Sequence, residues 1–342
     1  MGRQRKLVVL LTLLGAAHLM IACAGFFAPY DPTTQDRNHP YAPPMRPNFV
    51  DAAGHFHLRP FVYSENLREG SFDEYVRDTS HPIPLRFFIT GTSYRLFGLI
   101  PMRLHLFGAD GSPAFLLGSD AYGRDLFSRM LYGGQISLLA GLLATALALS
   151  SGLLIGALAG FFGGWTDEIL MRVAELFLAL PWLYLLFAIR AFLPLAVSPV
   201  QAFFLVVVLI GTVGWARPAR LIRGVVLSAK ERDYVRAAKG FGASNSYLLR
   251  SHILPQAWSV VLTQAAILVP QYVLAEVTLS FLGLGVPEPA ASWGNLLTSL
   301  QQYSVLTTYW WMYLPSLGMV PFFLGYLALA SALQKRAEQS KI

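Results

Sequence analysis

The residues best placed to do chemistry form one basic segment, Arg236–Pro255, with the sequence RAAKGFGASNSYLLRSHILP. This segment holds four basic side chains and no acid, although it lies between two long hydrophobic stretches. Two glycines and a terminal proline interrupt its helical pattern, as expected of a helix, a turn and a second helix. The pattern predicts a rigid, water-exposed knob that a partner protein grips.

The start of the knob has its own local signals. The sequence Ser228-Ala-Lys-Glu231 has the form of a capping box, in which a serine side chain caps a helix start. A helix is predicted to follow through Tyr234 and Phe241, and Gly242 can close it in the left-handed conformation. Ser244 or Asn245 is then predicted to begin a second short helix.

That second helix is predicted to end before Pro255, which is tolerated in the first turn of the next helix. The hypothesis of a docking knob competes with a plainer one, a solvated basic loop between two membrane spans. The docking hypothesis is favoured, because a purely basic loop needs no helix cap, no alanine pair and no glycine at this spacing.

Ionisable residues also occur near the ends of apolar stretches, and such groups usually face a bundle interior or a water-filled path. Arg190 and Glu276 are therefore candidates for a substrate pathway, with snorkelling to the membrane surface as the equal alternative. Glu175 lies three residues from Arg172, and a helix-face ion pair is the simpler interpretation.

Three charged residues, Asp120, Arg124 and Asp125, stand just before a long apolar stretch. They are predicted to pair with one another and pin their loop, or to contact a partner protein. His55 and His57 resemble half of a metal site, but without a recognised acid or cysteine partner no metal is expected there. No paired carboxylates or serine–histidine arrangement lies within the apolar stretches, so no catalytic residues are assigned.

Composition explains why charge is so local. Of the 342 residues, 55% are hydrophobic and 13% are charged, about half the charged share of a soluble domain. Three stretches contain no Asp, Glu, Lys or Arg: Gln135–Thr166, Ala191–Ala216 and Pro289–Gln334. Because a spanning helix needs roughly 20 apolar residues, each stretch can hold at least one span. The chain is predicted to be an integral membrane protein.

The predicted fold is an all-α polytopic membrane protein with six transmembrane helices and an outer insertion between the first two. The first helix is expected to be an uncleaved anchor, since its apolar stretch is too long for a signal peptide. Its lone cysteine, Cys23, is expected to pack among apolar side chains. The six predicted spans are Leu7–Ala28, Ile136–Phe162, Leu170–Pro194, Val200–Ala216, Trp258–Phe281 and Tyr309–Leu333.

The distribution of lysine and arginine predicts the orientation. Residues 29–133 contain ten Arg, no Lys and eleven acidic residues, so this segment is nearly neutral and is placed outside. The loop between the fourth and fifth spans is strongly basic and is placed inside, with both termini. The net charge of +7 therefore follows from topology, and no nucleic-acid partner is implied.

The predicted division of the chain follows from these spans. Residues 1–28 form a cytoplasmic N-terminus and the first anchor, and residues 29–133 form a periplasmic insertion. Residues 134–334 form a five-helix transmembrane domain, and residues 335–342 form a cytoplasmic tail. Within the insertion, Pro84–Gly108 is apolar but interrupted by three arginines, which predicts short strands or an interfacial segment instead of a span.

At the basic segment the sequence resembles the permease subunits of binding-protein-dependent ABC importers. Their signature is Glu-Ala-Ala, three residues, Gly, nine residues and Ile-x-Leu-Pro. The matching positions here are Arg236, Ala237, Ala238, Gly242, His252, Leu254 and Pro255. Arginine replaces the acid and histidine replaces the isoleucine, as in the peptide-importer branch.

Three further stretches resemble the C-type subunit of the dipeptide and oligopeptide permease family: LLGSDAYGRDLFSR from Leu116, MRVAELFLALPWLYL from Met171 and LSFLGLGVPEPAASWGNLL from Leu279. The resemblance implies a peptide-importing permease in the inner membrane, whose residues 228–255 couple it to separate ATPase subunits. These subunits would use ATP and Mg²⁺, and this chain would bind no cofactor. No G-x-x-x-x-G-K-[ST] phosphate loop occurs in the sequence, in agreement with a separate ATPase.

The resemblance also implies three kinds of protein partner: ATP-binding subunits, a second homologous permease subunit and an extracytoplasmic substrate-binding protein. Peptide and the lipid bilayer complete the expected contacts. A secondary transporter is the main alternative, but it would normally show repeated halves with broken spans at matching positions. Another class of polytopic membrane protein would not need the knob.

Overall fold

The computed structural model describes residues 2–68, 70–71, 74–109, 111–192, 194 and 197–339. Most of these residues are helical, and the chain divides into two compact units. We call Leu14–Ser137 with Ser280–Pro321 the sheet unit. We call Met1–Leu13, Leu138–Leu279 and Phe322–Ile342 the helical unit.

The sheet unit contains four antiparallel strands in the order β1-β2-β3-β4. Their bounds are β1 Asn48–Val50, β2 Phe56–Leu67, β3 Tyr75–Leu96 and β4 Ile100–Ala109. Strand β3 serves two ladders, because its first half pairs with β2 and its second half pairs with β4. The strands predicted within Pro84–Gly108 are therefore present, but β1, β2 and the first half of β3 were not predicted. The prediction of an all-α fold is wrong for this unit, because the sheet has four strands.

A small apolar core lies under the first half of the sheet. Val62 of β2 and Ile83 and Leu85 of β3 are buried against Met45 and Phe115. Residues 29–47 lack strands and contain six prolines, which cannot donate to a sheet ladder. This proline-rich segment lies against the core, where the backbone N–H of Met45 donates to the carbonyl oxygen of Phe115 at 2.8 Å.

The described residues form thirteen α-helices. Their bounds are α1 Gly2–Ala22, α2 Ala24–Phe27, α3 Leu126–Phe162, α4 Gly164–Ala179, α5 Trp182–Phe192, α6 Pro199–Val213, α7 Ala216–Lys230, α8 Asp233–Gly240, α9 Asn245–Tyr247, α10 Leu254–Phe281, α11 Trp293–Thr298, α12 Tyr303–Thr308 and α13 Leu314–Gln339. A π-helical turn, Leu248–Ile253, joins α9 to α10, so the chain is helical from Asn245 to Phe281.

Four of these helices are long and apolar enough to cross a membrane: Arg5–Ala22, Leu126–Phe162, Asn245–Phe281 and Trp310–Arg336. Two bent pairs, α4 with α5 and α6 with α7, bring the number to six if each pair is one span. The structure thus has a mostly helical chain with four to six candidate spans. The second predicted span, Ile136–Phe162, lies within α3, which begins ten residues earlier at Leu126.

The third predicted span, Leu170–Pro194, is not one straight helix. Helix α4 ends at Ala179, Leu180 is extended with ψ of 138°, and α5 leaves at an angle of 92°. Pro181 explains the break, because proline disfavours helical geometry in the residue before it and lacks a backbone N–H. The fourth predicted span, Val200–Ala216, corresponds to α6, and a bend of 42° between Val213 and Ala216 separates α6 from α7.

Candidate functional site

The knob predicted from the sequence is built on α7, α8, α9 and the π-helical turn, all within the helical unit; we call residues 228–255 the coupling segment. Helix α8 turns its apolar side inward, where Val235 is buried and Ala238 packs beside it. The same core contains Ile222 of α7 and Leu248 and Ile253 of the π-helical turn. A shared apolar core therefore holds the two arms of the coupling segment together.

The predicted capping box is wrong. Ser228 lies inside α7, which continues to Lys230, and the N-cap of α8 is Arg232, whose side chain makes no capping hydrogen bond. The pattern misleads because Ser228 and Glu231 follow an amphipathic stretch that prolongs the preceding helix. Asp233 in the first turn of α8 supplies the negative charge that favours a helix N-terminus instead.

Gly242 closes α8 as the sequence predicts. Its φ is +86°, and the backbone N–H of Ala243 donates to the carbonyl oxygen of Ala238 at 3.1 Å. The N–H of Gly242 donates to the carbonyl oxygen of Lys239 at 3.0 Å. This bonding closes the last turn in a Schellman-like manner, which needs a left-handed residue at the position of Gly242.

The second arm begins as predicted, since the Ser244 hydroxyl accepts from the N–H of Tyr247 at 3.3 Å. It does not end before Pro255, however, and this prediction is wrong. The π-helical turn carries the chain directly into α10, with the N–H of Leu254 donating to the carbonyl oxygen of Leu249. A wide turn at this place suits Pro255, which has no N–H to donate to the usual acceptor four residues earlier.

The outward surface of the coupling segment is basic and aromatic. Phe241, at the turn between the arms, is 92% exposed, and Tyr234 and Tyr247 are about half exposed. The rings of both tyrosines lie near the His252 ring, with centroid distances of 5.9 Å and 5.3 Å. The exposed basic side chains are Arg232, Arg236, Lys239 and Arg250.

The residues of the signature have different positions in this surface. Arg236 and Ala237 face outward, and Arg236 forms an ion pair with Glu231. Ala238 and Leu254 pack against the shared core, and Pro255 is exposed. The signature thus combines packing residues that fix the shape of the knob with outward residues that a partner can touch.

Helix α7, which leads into the coupling segment, is fixed to two other helices by charged side chains that the sequence analysis missed. Arg223 of α7 pairs with Asp167 of α4 through two hydrogen bonds of 2.5 Å each. Lys230, the last residue of α7, donates from Nζ to the carbonyl oxygen of Phe161 at 2.8 Å. The sequence did contain a signal for this pair, because Asp167 and Arg223 carry opposite charges next to different spans on the same predicted side of the membrane.

A glycine stripe lets α3 lie directly against α7. A Cβ at Gly156 would be 2.4 Å from the carbonyl oxygen of Ala219, and Gly152 and Gly160 are similarly close to α7. Small residues at a spacing of four allow such close approach of two helix backbones in a membrane. The spacing of four residues between these glycines is visible in the sequence, and it indicates a close contact with another helix.

A second charged constellation lies in the sheet unit. Arg124 Nε donates to Asp120 Oδ2 at 2.7 Å, and Arg124 Nη1 donates to Glu288 Oε2 at 2.6 Å. Arg129 Nη2 donates to Glu288 Oε1 at 2.9 Å. The two arginines are buried, whereas Glu288 lines a cavity of about 310 Å³ with them. Glu288 and Arg129 therefore complete the loop-pinning pair predicted for Asp120 and Arg124.

Asp125 has a different role from its neighbours, because it caps the start of α3. Its Oδ2 accepts from the backbone N–H of Ser128 at 2.8 Å and from the Ser128 hydroxyl at 2.6 Å. Burial raises the pKa of Asp125 to about 6, although the hydrogen bonds from Ser128 act in the opposite direction. Burial also opposes the charge of Arg124, but Glu288 and Asp120 together raise its pKa above the ordinary value.

The two predicted pathway residues are both buried in the helical unit. Arg190 is 2% exposed and donates from Nη1 to the carbonyl oxygen of Pro194 at 3.0 Å, so it does not reach solvent. Glu276 of α10 is fully buried. Neither residue lines the cavity of about 380 Å³ that the bend at Pro181, the bend at Gly214 and α10 enclose.

Two minor predictions can be compared with the geometry. Arg172 and Glu175 form the expected ion pair, with Nη1 and Oε2 at 3.2 Å. His55 and His57 do have an acidic neighbour, since both lie against Asp51, at 3.4 Å and 2.9 Å. Their expected lack of an acid is therefore wrong, but no trio of potential ligand side chains suited to a metal ion is present in the part of the chain that the structure describes.

A family model described as "Binding-protein-dependent transport system inner membrane component" matches residues 152–339. This range contains the coupling segment, the two bent helix pairs and the helices α10 and α13. It does not include the four strands or Asp120, Arg124 and Arg129, but it does include their partner Glu288.

Individual relatives match a similar part of the chain. The oligopeptide transport system permease protein OppC of Bacillus subtilis (strain 168) is 38% identical over 209 residues, which are 60% of this chain and 66% of the relative. The dipeptide transport system permease protein DppC of the same organism is 33% identical, with 64% and 66% covered. A probable D,D-dipeptide transport system permease protein, DdpC of Escherichia coli (strain K12), is 37% identical, with 63% and 70% covered. The chain thus spans about two thirds of the length of these relatives.

Proposed function

The chain belongs to the family of binding-protein-dependent transport system inner membrane components, and on that premise we propose that it is a permease subunit that imports peptides. Relatives that share a third or more of their aligned residues with it are named as oligopeptide and dipeptide transport permeases. Di- and oligopeptides, or peptide conjugates, are accordingly the proposed cargo. The chain itself is a transport component, and ATP hydrolysis with Mg²⁺ is assigned to separate ATPase subunits.

The coupling segment carries this proposal. Its apolar core fixes two short arms, a glycine with positive φ sets the angle between them, and its outward side presents basic groups around one almost fully exposed phenylalanine. A large aromatic side chain that is almost fully exposed is typical of an anchor in a protein interface. We assign the coupling segment as the surface that docks on an ATPase subunit.

The direction of docking sets the proposed topology. If the coupling segment meets a cytoplasmic ATPase, both termini are cytoplasmic and residues 29–133 are periplasmic. The lysine distribution supports this orientation, since residues 29–133 contain no lysine. The charged constellation around Arg124 then belongs to the side that meets a substrate-binding protein, where Asp120, Arg124 and Asp125 fix the local loop.

The proposed assembly contains a second, homologous permease subunit and two ATPase subunits. Six helices enclose a narrow space, whereas a peptide with side chains needs a wider path between two bundles. Arg190 and Glu276 remain candidates for the wall of this path. Their burial within one chain fits a supporting position behind the wall as well as a position on it.

Replacement of Phe241 tests the docking surface. Phe241→Ala is expected to weaken ATPase association at least tenfold, because aromatic anchors in interfaces commonly contribute about 2 kcal/mol or more. Phe241→Leu keeps apolar bulk and is expected to retain most of the association. The measurement is recovery of the ATPase subunits with the tagged permease from solubilised membranes, together with peptide uptake.

Tyr303→Ala serves as the matched control, since Tyr303 is also highly exposed but lies outside the coupling segment. It is expected to leave ATPase recovery unchanged. Normal ATPase recovery and normal uptake by Phe241→Ala would contradict the docking surface, whatever the result for the control.

A further inference from the structure

The turn between β3 and β4 has a composition that is unusual for a water-exposed hairpin. Phe97, Leu99 and Ile100 are exposed, and Leu99 is 80% exposed. Phe97 and Gly98 have φ of +52° and +72°. Tight hairpin turns place Gly, Asn or Asp at such positions, because a Cβ makes positive φ unfavourable. An exposed phenylalanine at this place indicates a role for the apolar tip other than turn formation.

The hairpin runs alongside helix α1, within the sheet unit. It is fixed near the end of α2, where the His105 ring contacts the carbonyl oxygen of Ala28 at 2.6 Å. From there towards the tip, Tyr94, Leu96 and Met102 line an apolar groove of about 330 Å³. The opposite wall is formed by residues of α1 and α2 and by Cys23 between them: Ala16, Leu19, Met20, Cys23, Phe26 and Phe27.

Helix α1 is one of the four helices that can cross a membrane by length and composition, and only 6% of its apolar window is buried. Leu19 and Met20, which line the groove, are themselves exposed. The groove extends along α1 to Ala16, six residues before the end of the span at Ala22. At a rise of 1.5 Å per residue, the hairpin follows the span for about 9 Å.

We propose that the tip of the β3–β4 hairpin, residues 97–100, inserts into the lipid bilayer beside α1. The partner is the lipid at the membrane surface, because the apolar tip continues the lipid-facing surface of a spanning helix. This inference rests on α1 being a membrane span and does not depend on peptide transport. It unites the two predictions for Pro84–Gly108, strands and an interfacial segment, in one hairpin.

Two arginines fit the interfacial position. Arg95 and Arg103 are exposed and follow the alternation of the strands, so they lie on the face opposite Tyr94 and Met102. Long arginine stems beside a membrane allow the guanidinium to reach phosphate headgroups while the stem stays among apolar groups. The hairpin thus carries an apolar end and, behind it, a pair of cations suited to lipid phosphate.

Spin labels at single cysteines test the insertion in the full chain, reconstituted in phospholipid nanodiscs. Cys23→Ala removes the single native cysteine, and labels are then placed by Leu99→Cys, Ile100→Cys or Leu58→Cys. Leu58, on β2, is 89% exposed and is the matched control away from the tip. The measured quantity is the ratio of label accessibility to oxygen and to a polar nickel chelate.

Labels at Leu99 and Ile100 are expected to give a ratio several-fold higher than the label at Leu58, since oxygen concentrates in lipid and the chelate stays in water. A ratio equal to that at Leu58 overturns the proposal. Low accessibility to both reagents also overturns it, because the tip would then be covered by protein. If the labels at Leu99 and Ile100 give similar accessibility ratios, the result does not come from a local distortion caused by one of the two substitutions.

Charge neutralisation tests the arginines separately. Arg95→Gln combined with Arg103→Gln is expected to lower the ratio at Leu99 in nanodiscs that contain anionic phospholipid. An unchanged ratio would remove the role given to the two arginines.

Discussion

Lys230 donates a hydrogen bond from Nζ to the carbonyl oxygen of Phe161, 2.8 Å away. Phe161 lies in the last turn of α3, where the backbone carbonyl oxygens receive no hydrogen bond from an N–H of the same helix. Lys230 is the last residue of α7 and lies at the start of the coupling segment. A single side chain therefore ties the end of a membrane helix to the start of the surface proposed to meet the ATPase.

Removal of this contact is expected to loosen the coupling segment without removing it. Lys230→Met keeps most of the apolar stem but loses the donor and the positive charge at the C-terminus of α3. The expected cost is about 1 kcal/mol, from one lost hydrogen bond and a lost helix-end charge. Thermal unfolding of the purified chain should shift by a few degrees, and uptake per ATP hydrolysed should fall.

Lys239→Met is the control, because Lys239 is exposed on α8. It should leave the melting temperature unchanged. Equal melting temperatures for the two variants would show that the contact with Phe161 contributes nothing to stability.

The close approach of α3 and α7 predicts that a substitution that favours the helix will nevertheless lower the stability of the protein. Gly156→Ala would improve propensity by about 1 kcal/mol, yet its Cβ would lie 2.4 Å from the Ala219 carbonyl oxygen. Overpacking of this kind costs about 1–3 kcal/mol, so a net loss of stability is expected. Melting temperature in detergent and the amount of folded protein in membranes measure the effect.

Gly224→Ala is the matched substitution in α7, since a Cβ there has no atom within 4 Å among the described residues. It is expected to be neutral or slightly stabilising. If both glycine variants are equally stable, the two helices do not pack as closely as the structure indicates.

These contacts show where sequence reasoning succeeds and where it stops. Gly242 was predictable, because a glycine after an amphipathic turn marks a helix end. The break at Pro181 was open to the same reasoning but was overridden by continuous hydrophobicity. Ser228 was misread, since a capping motif has the same letters inside a helix as at its start.

Contacts between residues that are far apart in the sequence could not be predicted from local patterns. Glu288 and Arg124 are 164 residues apart, and no local pattern connects them. The sharing of β3 between two ladders depends equally on tertiary packing. Local rules thus predicted the turn at Gly242 and the start of the second arm at Ser244, whereas only the folded structure showed the contacts between distant residues.

Alanine substitutions at two nearby glycines are predicted to differ in effect because of backbone conformation alone. Gly240 and Gly242 both leave open space at the position of a Cβ, but only Gly242 has a positive φ. Gly242→Ala is expected to cost about 1 kcal/mol or more and to reduce ATPase association and uptake severalfold. Gly240→Ala, within α8, should be neutral or slightly stabilising.

Both variants add the same single methyl group to the coupling segment, so bulk is matched. ATPase recovery from solubilised membranes and initial uptake rates compare them directly. Equal behaviour of the two would indicate that the left-handed turn is not needed for docking.

The buried carboxyl group of Asp125 predicts a pH dependence in the sheet unit. Burial raises its pKa from 3.8 to about 6, so the folded protein holds this proton more tightly than the unfolded chain does. The favourable contribution of Asp125 to the free energy of unfolding is therefore greatest at low pH, and it is lost as pH rises from about 4 to above 6. At pH 8 the buried charge costs on the order of 3 kcal/mol relative to the protonated form.

Asp125→Asn tests this dependence, because asparagine resembles the neutral acid and can still accept the hydrogen bond from the Ser128 N–H. The difference in melting temperature between the variant and the parent isolates the contribution of Asp125, because every other side chain is the same in both. The variant should gain on the parent between pH 5 and pH 8, by several degrees. A difference that stays constant over this range would mean that Asp125 does not titrate there, and that its carboxylate is better solvated than its burial indicates.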